Sequence, residues 1–273
     1  MENGTISYTQ LLREDLGIFR VTPDDGVPDF KAGQFLTLGL PLDSKIVNRA
    51  YSITSSPQNK NYFEFVIRWV RRPLPGRLTS LLFNAKEGDK ISWAKPAGNL
   101  TINDTLPNGE KDTRRIVCIG GGTGLAPFVS FAQHLHDTND KREIVILHGA
   151  SYVDELSYKQ LLTDLENESI DKGKDKWNFT YRAAISRPDE WTNRSWVGHK
   201  GRIEQFLRPT DSGKSALEEL VGEKITKENT IFYVCGWQGT IDGTMDYLTN
   251  KDFVTEKNKR EDGSFEVKFE SYG

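Results

Sequence analysis

The sequence predicts a protein of two domains, an antiparallel β-barrel followed by a doubly wound α/β domain. Three observations support this fold. Short strands separated by turn residues fill the first part of the chain, apolar strands alternate with helices in the last part, and residues 103–111 between them are polar and rich in turn residues. We therefore assign residues 1–105 to the first domain and 112–273 to the second.

The first domain is indicated by alternating and aromatic segments at short spacing. Phe35 to Leu38 follow the turn residues Ala32-Gly33, and Tyr62 to Ile67 are rich in aromatic and β-branched residues. Lys90 to Trp93 form a further strand, and Leu78 to Phe83 are predicted to form a short helix. Strands at this spacing are typical of a barrel or sandwich.

The second domain is indicated by strands that alternate with helices, and the first of these strands carries a short, continuously apolar run, typical of a strand buried on both faces. The predicted strands cover residues 115–119, 144–148, 179–185 and 231–235. Helices are predicted from Pro127 to His136 and from Leu156 to Leu165. This alternation favours a parallel sheet.

Composition excludes several classes of protein. The 36 Lys and Arg residues against 39 Asp and Glu give a formal charge of −3, which does not suit a general nucleic-acid binder. Cys118 and Cys235 lie in apolar runs, so a reducing, cytoplasmic location is expected rather than a disulfide framework. No signal peptide is recognisable at the N-terminus, and no run of apolar residues is long enough to span a membrane.

A cluster of glycines stands between a predicted buried strand and a predicted helix. Gly120 to Gly124 contain four glycines around Thr123, and Pro127 follows at the start of the helix. Glycine lets a phosphate approach the backbone, and a helix N-terminus offers unpaired N–H groups to an anion. We interpret the segment as a pyrophosphate site; the alternative is a tight strand–helix connection without a ligand. Its spacing fits neither the common G-x-G-x-x-G motif nor a Walker loop.

Six short motifs, in order along almost the whole chain, resemble those of the ferredoxin (flavodoxin)–NADP⁺ reductase family. Arg49-Ala50-Tyr51-Ser52 resembles the R-x-Y-S flavin motif, and Gly76-Arg77-Leu78-Thr79-Ser80 resembles the second flavin motif. The glycine turn with Gly122, Thr123, Gly124 and Pro127 resembles the pyridine-nucleotide motif. The remaining matches are Ser186-Arg187 with Gly201-Arg202, Cys235-Gly236, and Glu270-Ser271-Tyr272.

The resemblance assigns roles on the flavin side. Arg49 would bind the FAD pyrophosphate with its planar fork of donors, and Tyr51 would pack on the isoalloxazine. Ser52 would lie near flavin N5 and assist the hydride. The start of the helix at Gly76 to Thr79 would face phosphate, and the strand backbone at Ile67 would touch the flavin. Taken alone, Arg49 could equally be a surface arginine, Tyr51 a core residue, and Thr79 a helix cap.

The resemblance also assigns roles on the nucleotide side. Ser186, Arg187 and Arg202 would bind the 2′-phosphate and so favour NADP(H) over NAD(H), although paired surface arginines remain an alternative. Cys235 and Gly236 would lie beside the nicotinamide, and Glu270 would shape the same pocket. Tyr272 would cover the flavin, with its placement left open by the trailing Gly273. The proposed catalytic residues are Ser52, Cys235, Glu270 and Tyr272.

The implied activity is electron transfer between NADP(H) and a small carrier, ferredoxin or flavodoxin, through FAD, with no metal site. Arg68, Arg71, Arg72 and Arg77 bracket the expected flavin region, and we hypothesise that they steer an acidic carrier. Two alternatives remain. One is an NAD(P)H-dependent reductase component of an oxygenase, although two cysteines cannot ligate a fused iron–sulfur cluster. The other is a flavin- or nucleotide-binding electron-transfer subunit without turnover of its own.

Overall fold

The computed structural model describes residues 1–271, and the chain forms two compact units. The first unit contains residues 1–102 together with residues 126–138. The second contains residues 103–125 and the chain from Asn139 onward. The helix that follows the glycine turn therefore groups with the first unit, whereas the glycine turn itself belongs to the second.

The first unit is built on a six-stranded antiparallel sheet. Its strands are β1 (Glu2–Arg13), β2 (Leu16–Pro23), β3 (Phe35–Leu42), β4 (Lys45–Ser52), β5 (Phe63–Arg68) and β6 (Lys90–Trp93), and helix α1 covers Arg77–Asn84. The strand order is β4-β3-β6-β1-β2-β5. The Thr54 amide donates to the Glu64 carbonyl at 2.8 Å, which joins the two outer strands at one end. The predicted antiparallel barrel is thus confirmed.

Alternation along the strands places one set of side chains in a single core. Leu36 and Leu38 of β3 are fully buried, as are Phe63 and Phe65 of β5. The Phe63 ring lies 5.5 Å from the Trp93 ring, a distance at which tilted aromatic pairs attract. This core holds β4 and α1, the elements that carry the flavin motifs, in fixed positions.

The second unit is built on a six-stranded parallel sheet in the order β10-β9-β8-β7-β11-β12. Its strands are β7 (Arg115–Gly121), β8 (Ile144–Ala150), β9 (Phe179–Ile185), β10 (His199–Lys200), β11 (Thr230–Gly236) and β12 (Val267–Ser271). Every residue of the central strands β7 and β11 is buried. The predicted parallel sheet is confirmed, and burial on both faces explains the continuous apolar runs.

The four remaining helices are α2 (Ala126–Asp137), α3 (Lys159–Lys172), α4 (Ala216–Val221) and α5 (Gln238–Thr249). Of these, α2 and α3 were predicted from the sequence, with the bounds of α3 corrected, whereas α4 and α5 were not predicted. The helix predicted to begin at Leu156 begins at Lys159, because Tyr158 has a left-handed backbone with φ of 56°. A non-glycine residue in this conformation interrupts a right-handed helix. Across residues 1–271, no helix combines the length and apolarity that crossing a bilayer requires.

The segment predicted as a linker is tied to the second unit. The Asn103 amide donates to the buried Tyr233 hydroxyl at 2.7 Å, and the Arg142 guanidinium donates to the Asn103 carbonyl at 2.8 Å. Arg114 pairs with the fully buried Asp112. Burial opposes ionisation of Asp112, but hydrogen bonds from Arg114 and from the Asn103 side chain lower its pKa overall. The segment is therefore an ordered part of the second unit.

Candidate functional site

The flavin motif of the first unit lies on β4, an outer strand of the sheet. Arg49 and Ala50 are exposed, Tyr51 is half-buried, and Ser52 is 5% exposed. Because side chains alternate along a strand, Arg49 and Tyr51 point to the same face. The Tyr51 ring packs against the barrel core, so its structural role and its expected flavin contact coexist.

The second flavin motif meets the first through a hydrogen bond. The hydroxyls of Tyr51 and Thr79 lie 2.8 Å apart, and Thr79 is almost fully buried in the first turn of α1. Burial raises the pKa of Tyr51, while the Thr79 hydrogen bond and the Arg49 charge oppose that shift. The phenol therefore stays neutral, and the hydrogen bond fixes the ring on β4 relative to α1.

Arg49 also approaches the start of α1, and the residues there fit a phosphate group. A Cβ added at Gly76 would lie 3.3 Å from the Thr79 hydroxyl and 3.8 Å from Arg49 Nη1. The N-cap residue Gly76 provides no side-chain cap, and no acidic side chain occupies the first turn. A guanidinium beside uncapped N–H groups and a glycine is an anion-binding arrangement. These residues would hold the FAD pyrophosphate.

Two residues predicted to contact the flavin have side chains in the core. Ile67 is 1% exposed and Leu78 is 3% exposed, both within the barrel cluster. Their side chains stabilise the fold, so any cofactor contact at these positions would come from the backbone. Arg77 is exposed beside them.

The glycines in the turn of the second unit differ in what surrounds them. A Cβ on Gly124 would lie 2.2 Å from the Cys235 carbonyl oxygen, and one on Gly121 would lie 2.6 Å from the Thr240 hydroxyl. Close packing thus requires glycine at these positions whether or not a ligand binds. Gly122 differs, because it has a left-handed φ of 57° and open space where a Cβ would point. Gly122 and the half-buried Thr123 are therefore the residues that a phosphate can approach.

The C-G motif and the terminal carboxylate meet at the carboxyl edge of the parallel sheet. Cys235 on β11 pairs with Gly120 on β7 and with Glu270 on β12. Cys235 is fully buried, and burial raises the pKa of Glu270. Ligands of open α/β sheets bind at this edge. Pro127 is buried in α2, and Tyr272 lies outside the described residues.

The predicted 2′-phosphate residues come together at the same edge of the sheet. Ser186 follows β9, and Gly201-Arg202 follow β10, whose Lys200 pairs with Ile185. The side chains of Ser186, Arg187 and Arg202 are exposed. Arg187 donates to the Tyr152 hydroxyl at 2.8 Å, and its guanidinium lies 5.4 Å from that ring. Two arginines and a serine thus lie on the segments that follow two neighbouring strands, β9 and β10.

The arginine cluster is only partly available for a partner. Arg68 pairs with Asp15 at 2.8 Å, and Arg71 pairs with Glu14 at 3.5 Å while stacking on Trp69. Arg72 and Arg77 are exposed, and within residues 1–271 neither forms an ion pair. The remaining positive charge is therefore concentrated at these two residues.

Sequence reasoning missed a buried histidine beside the glycine turn. His148 on β8 pairs with Gly120, is fully buried, and has its Nδ1 atom 3.2 Å from the Tyr181 hydroxyl. Burial lowers the pKa of His148 to about 4, although an interaction with the Gly122 backbone opposes that shift. The only signal in the sequence was a polar residue at the end of an apolar strand.

Comparison with known proteins agrees with this division into two sites. Residues 4–102 match the oxidoreductase FAD-binding domain, and residues 118–246 match the oxidoreductase NAD-binding domain. Fold and sites therefore define a flavin- and nicotinamide-dependent oxidoreductase.

Similar proteins show to which family of oxidoreductases the chain belongs. The chain is 31% identical over 221 residues to a ferredoxin–NADP reductase of Azotobacter vinelandii, covering 80% of this chain and 78% of that protein. It belongs to the ferredoxin–NADP reductase family, as the six motifs indicated. It is also 29% identical over 224 residues to a component of the Na⁺-translocating NADH-quinone reductase of Serratia proteamaculans, covering 78% of this chain and 49% of that protein.

A solved structure confirms the fold over nearly the whole chain. The ferredoxin NADP⁺ reductase of Neisseria gonorrhoeae, solved with bound FAD and NADP, superposes with a TM-score of 0.77 at 22% identity. The match covers 98% of this chain and 97% of that one.

Proposed function

We propose that this chain is a ferredoxin/flavodoxin–NADP⁺ reductase, which transfers electrons between NADP(H) and a small acidic one-electron carrier. The observation that carries the proposal is the carboxyl edge of the parallel sheet. There the glycine turn, Cys235-Gly236 and Glu270 come into register. The relatives named as ferredoxin–NADP reductases support ferredoxin or flavodoxin as the carrier. Both cysteines are buried thiols, which supports a reducing compartment that we take to be the cytoplasm.

FAD, when bound, accepts a hydride and releases electrons one at a time, and the residues of this chain bind and orient the reactants. Arg49 and the N-terminus of α1 hold the flavin pyrophosphate. The Tyr51 ring, fixed by Thr79, orients the flavin on β4. The Ser52 hydroxyl lies at the end of the same strand, where it assists hydride passage.

On the nucleotide side, Gly122 and Thr123 admit the pyrophosphate to the backbone of the turn. Arg187 and Arg202 bind the 2′-phosphate and select NADP(H). Cys235 and Glu270 border the nicotinamide pocket, and partial burial raises the pKa of Glu270. Positioning of this kind supplies much of the rate acceleration in hydride transfer.

The carrier is identified by following its reduction directly. The FAD-loaded protein with NADPH is mixed in turn with ferredoxin, flavodoxin and a quinone, and the absorbance of each acceptor is recorded. We expect fast reduction of ferredoxin or flavodoxin. Fast reduction of the quinone alone would contradict a carrier protein as the physiological acceptor.

A further inference from the structure

Helix α2 is hydrogen-bonded to the segment that follows Ser52. Ser130 Oγ donates to the Ser55 carbonyl at 2.8 Å, and Gln133 Nε2 donates to the Thr54 carbonyl at 2.8 Å. One turn further along, Ser56 Oγ donates to the Asp137 carboxylate at 2.6 Å. These contacts explain why α2 groups with the first unit.

The segment that receives these bonds is buried and polar. Ser52, Thr54, Ser55 and Ser56 are each at most 5% exposed. Carbonyls in such a place are poorly reached by water, and a buried acceptor without a hydrogen-bond partner destabilises the fold. Ser130 and Gln133 thus provide the hydrogen bonds that the segment needs in this conformation.

A ring on α2 fixes the helix against the same unit. A Cβ on Gly33, whose φ is 90°, would lie 2.5 Å from the Phe131 ring and 2.0 Å from the Leu100 carbonyl oxygen. Packing this close leaves α2 little freedom to slide. The next residue, Gln34, accepts from the Ile53 amide at its carbonyl, and Phe35 pairs with Ser52. Helix, turn and Ser52 strand therefore form one rigid assembly.

We propose that Ser130 and Gln133 are positioning residues for Ser52: through the Ser55 and Thr54 carbonyls they set where the Ser52 hydroxyl lies relative to the flavin. The inference rests on the proposed function, because Ser52 acts on the hydride only if FAD is reduced by NADPH. Ser130 and Gln133 would act through Ser52 without touching the flavin or the nucleotide themselves. Because α2 begins directly after the glycine turn, these residues also join the flavin-side strand to the helix of the nucleotide motif.

The test uses single variants of the FAD-loaded protein. Ser130→Ala and Gln133→Met remove one donor each at nearly constant volume, and His134→Met is the control. His134 is on the same helix, and its Nδ1 atom lies 3.0 Å from the Gln58 side chain, beyond the 54–55 segment. Two quantities are recorded for each protein: the visible circular dichroism of the bound FAD, and the stopped-flow rate of its reduction by NADPH. Thermal melts confirm that each variant folds.

We expect both donor variants to alter the flavin dichroism and to slow flavin reduction about tenfold, with the apparent Kd for NADPH, taken from the dependence of that rate on NADPH concentration, unchanged within about twofold. The control should match the wild type in both quantities. A wild-type dichroism in folded Ser130→Ala and Gln133→Met would overturn the inference. If the wild-type flavin is not reduced by NADPH, the proposed function fails by itself, and the dichroism still decides whether these residues set the flavin environment.

Discussion

Single residues in the second unit show how burial can decide a charge state. His148 lies within the sheet and beside the glycine turn, so its imidazole is neutral in the fold. The unfolded chain protonates the same ring near the ordinary pKa of 6.5. The folded protein therefore binds fewer protons than the unfolded chain between these two values, and its stability falls as the pH falls.

We predict that His148 makes the protein sensitive to acid between pH 6.5 and about 4. Lowering the pKa of His148 from 6.5 to about 4 corresponds to a loss of about 3 kcal/mol in the free energy of unfolding across this interval. Urea unfolding of the wild type and of His148→Phe at pH 7 and pH 4.5 measures how much unfolding free energy each protein loses between the two pH values. The loss of unfolding free energy should be about 2–3 kcal/mol smaller in His148→Phe than in the wild type. Tyr181→Phe, which removes the hydrogen-bond partner without removing the imidazole, should keep the wild-type pH dependence; equal losses in all three proteins would refute the assignment.

Nucleotide selectivity is also decided by individual side chains. We predict that Arg187→Ala raises the KM for NADPH by about 10- to 100-fold and leaves the KM for NADH nearly unchanged. The reason is that a charged hydrogen bond to the 2′-phosphate is lost, and NADH has no such phosphate. Steady-state kinetics with both nucleotides provide the measurement. Arg208→Ala, at an exposed position after the turn 203–207, is the control, and equal effects on NADPH and NADH would contradict the role.

At the scale of elements, the glycine turn combines two kinds of glycine. Gly124 is required by contact with the Cys235 carbonyl, whereas Gly122 is required by its backbone conformation. The two requirements are independent of each other, and the sequence alone cannot separate them.

We predict different outcomes for two alanine substitutions in this turn. Gly122→Ala should cost about 1–2 kcal/mol of folding free energy, because alanine tolerates a left-handed φ poorly. Gly124→Ala should cost about 3 kcal/mol, because its Cβ meets main chain rather than a flexible side chain. Urea unfolding measures both. A smaller loss for Gly124→Ala than for Gly122→Ala would show that the contact with Cys235 is not close in solution.

Local sequence patterns predicted some strands well and missed others. Strand β9 was predicted over its full length, Phe179–Ile185, because aromatic and β-branched residues favour strands. The two-residue edge strand β10 gave no comparable signal, because its pairing depends on neighbours distant in the chain. The interior strands β1 and β2 were also missed, because half-buried and exposed residues stand between their buried ones. The start of α3 was wrong for a local reason, the left-handed Tyr158.

The sequence indicated which positions form the candidate site, but it did not indicate which side chains contact one another there. The motifs located Arg49, Tyr51 and Thr79, and the structure adds that the hydroxyls of Tyr51 and Thr79 are bonded. The cofactor contacts expected at Ile67 and at the start of α1 come from the backbone, and the structure adds that the side chains of Ile67 and Leu78 lie in the core. Ser130 and His148 escaped notice because their roles depend on three-dimensional neighbours.

At the scale of the whole molecule, charge determines which carriers can approach. The net charge is −3, so attraction of an acidic carrier requires a local positive surface. The structure leaves Arg72 and Arg77 without carboxylate partners among the described residues, and the exposed Leu74 lies between them in the chain.

We predict that Arg72→Ala combined with Arg77→Ala slows reduction of an acidic carrier about tenfold at low ionic strength, with a smaller effect at high salt. Stopped-flow mixing with ferredoxin or flavodoxin measures the rate. The control is Arg208→Ala with Lys214→Ala, which makes the same change in net charge on the second unit. Equal slowing in both double variants would indicate a general charge effect. An unchanged rate in Arg72→Ala/Arg77→Ala would show that these two arginines do not attract the carrier.

The claim tested most directly is that this chain holds FAD where NADPH can reduce it. The purified, FAD-reconstituted protein is mixed with NADPH, and separately with NADH, under anaerobic conditions while the visible absorbance of oxidised flavin is followed. We predict a yellow protein that bleaches within seconds on NADPH addition and much more slowly with NADH. A protein that binds no added FAD, or whose bound flavin stays oxidised with both nucleotides, would contradict the assignment.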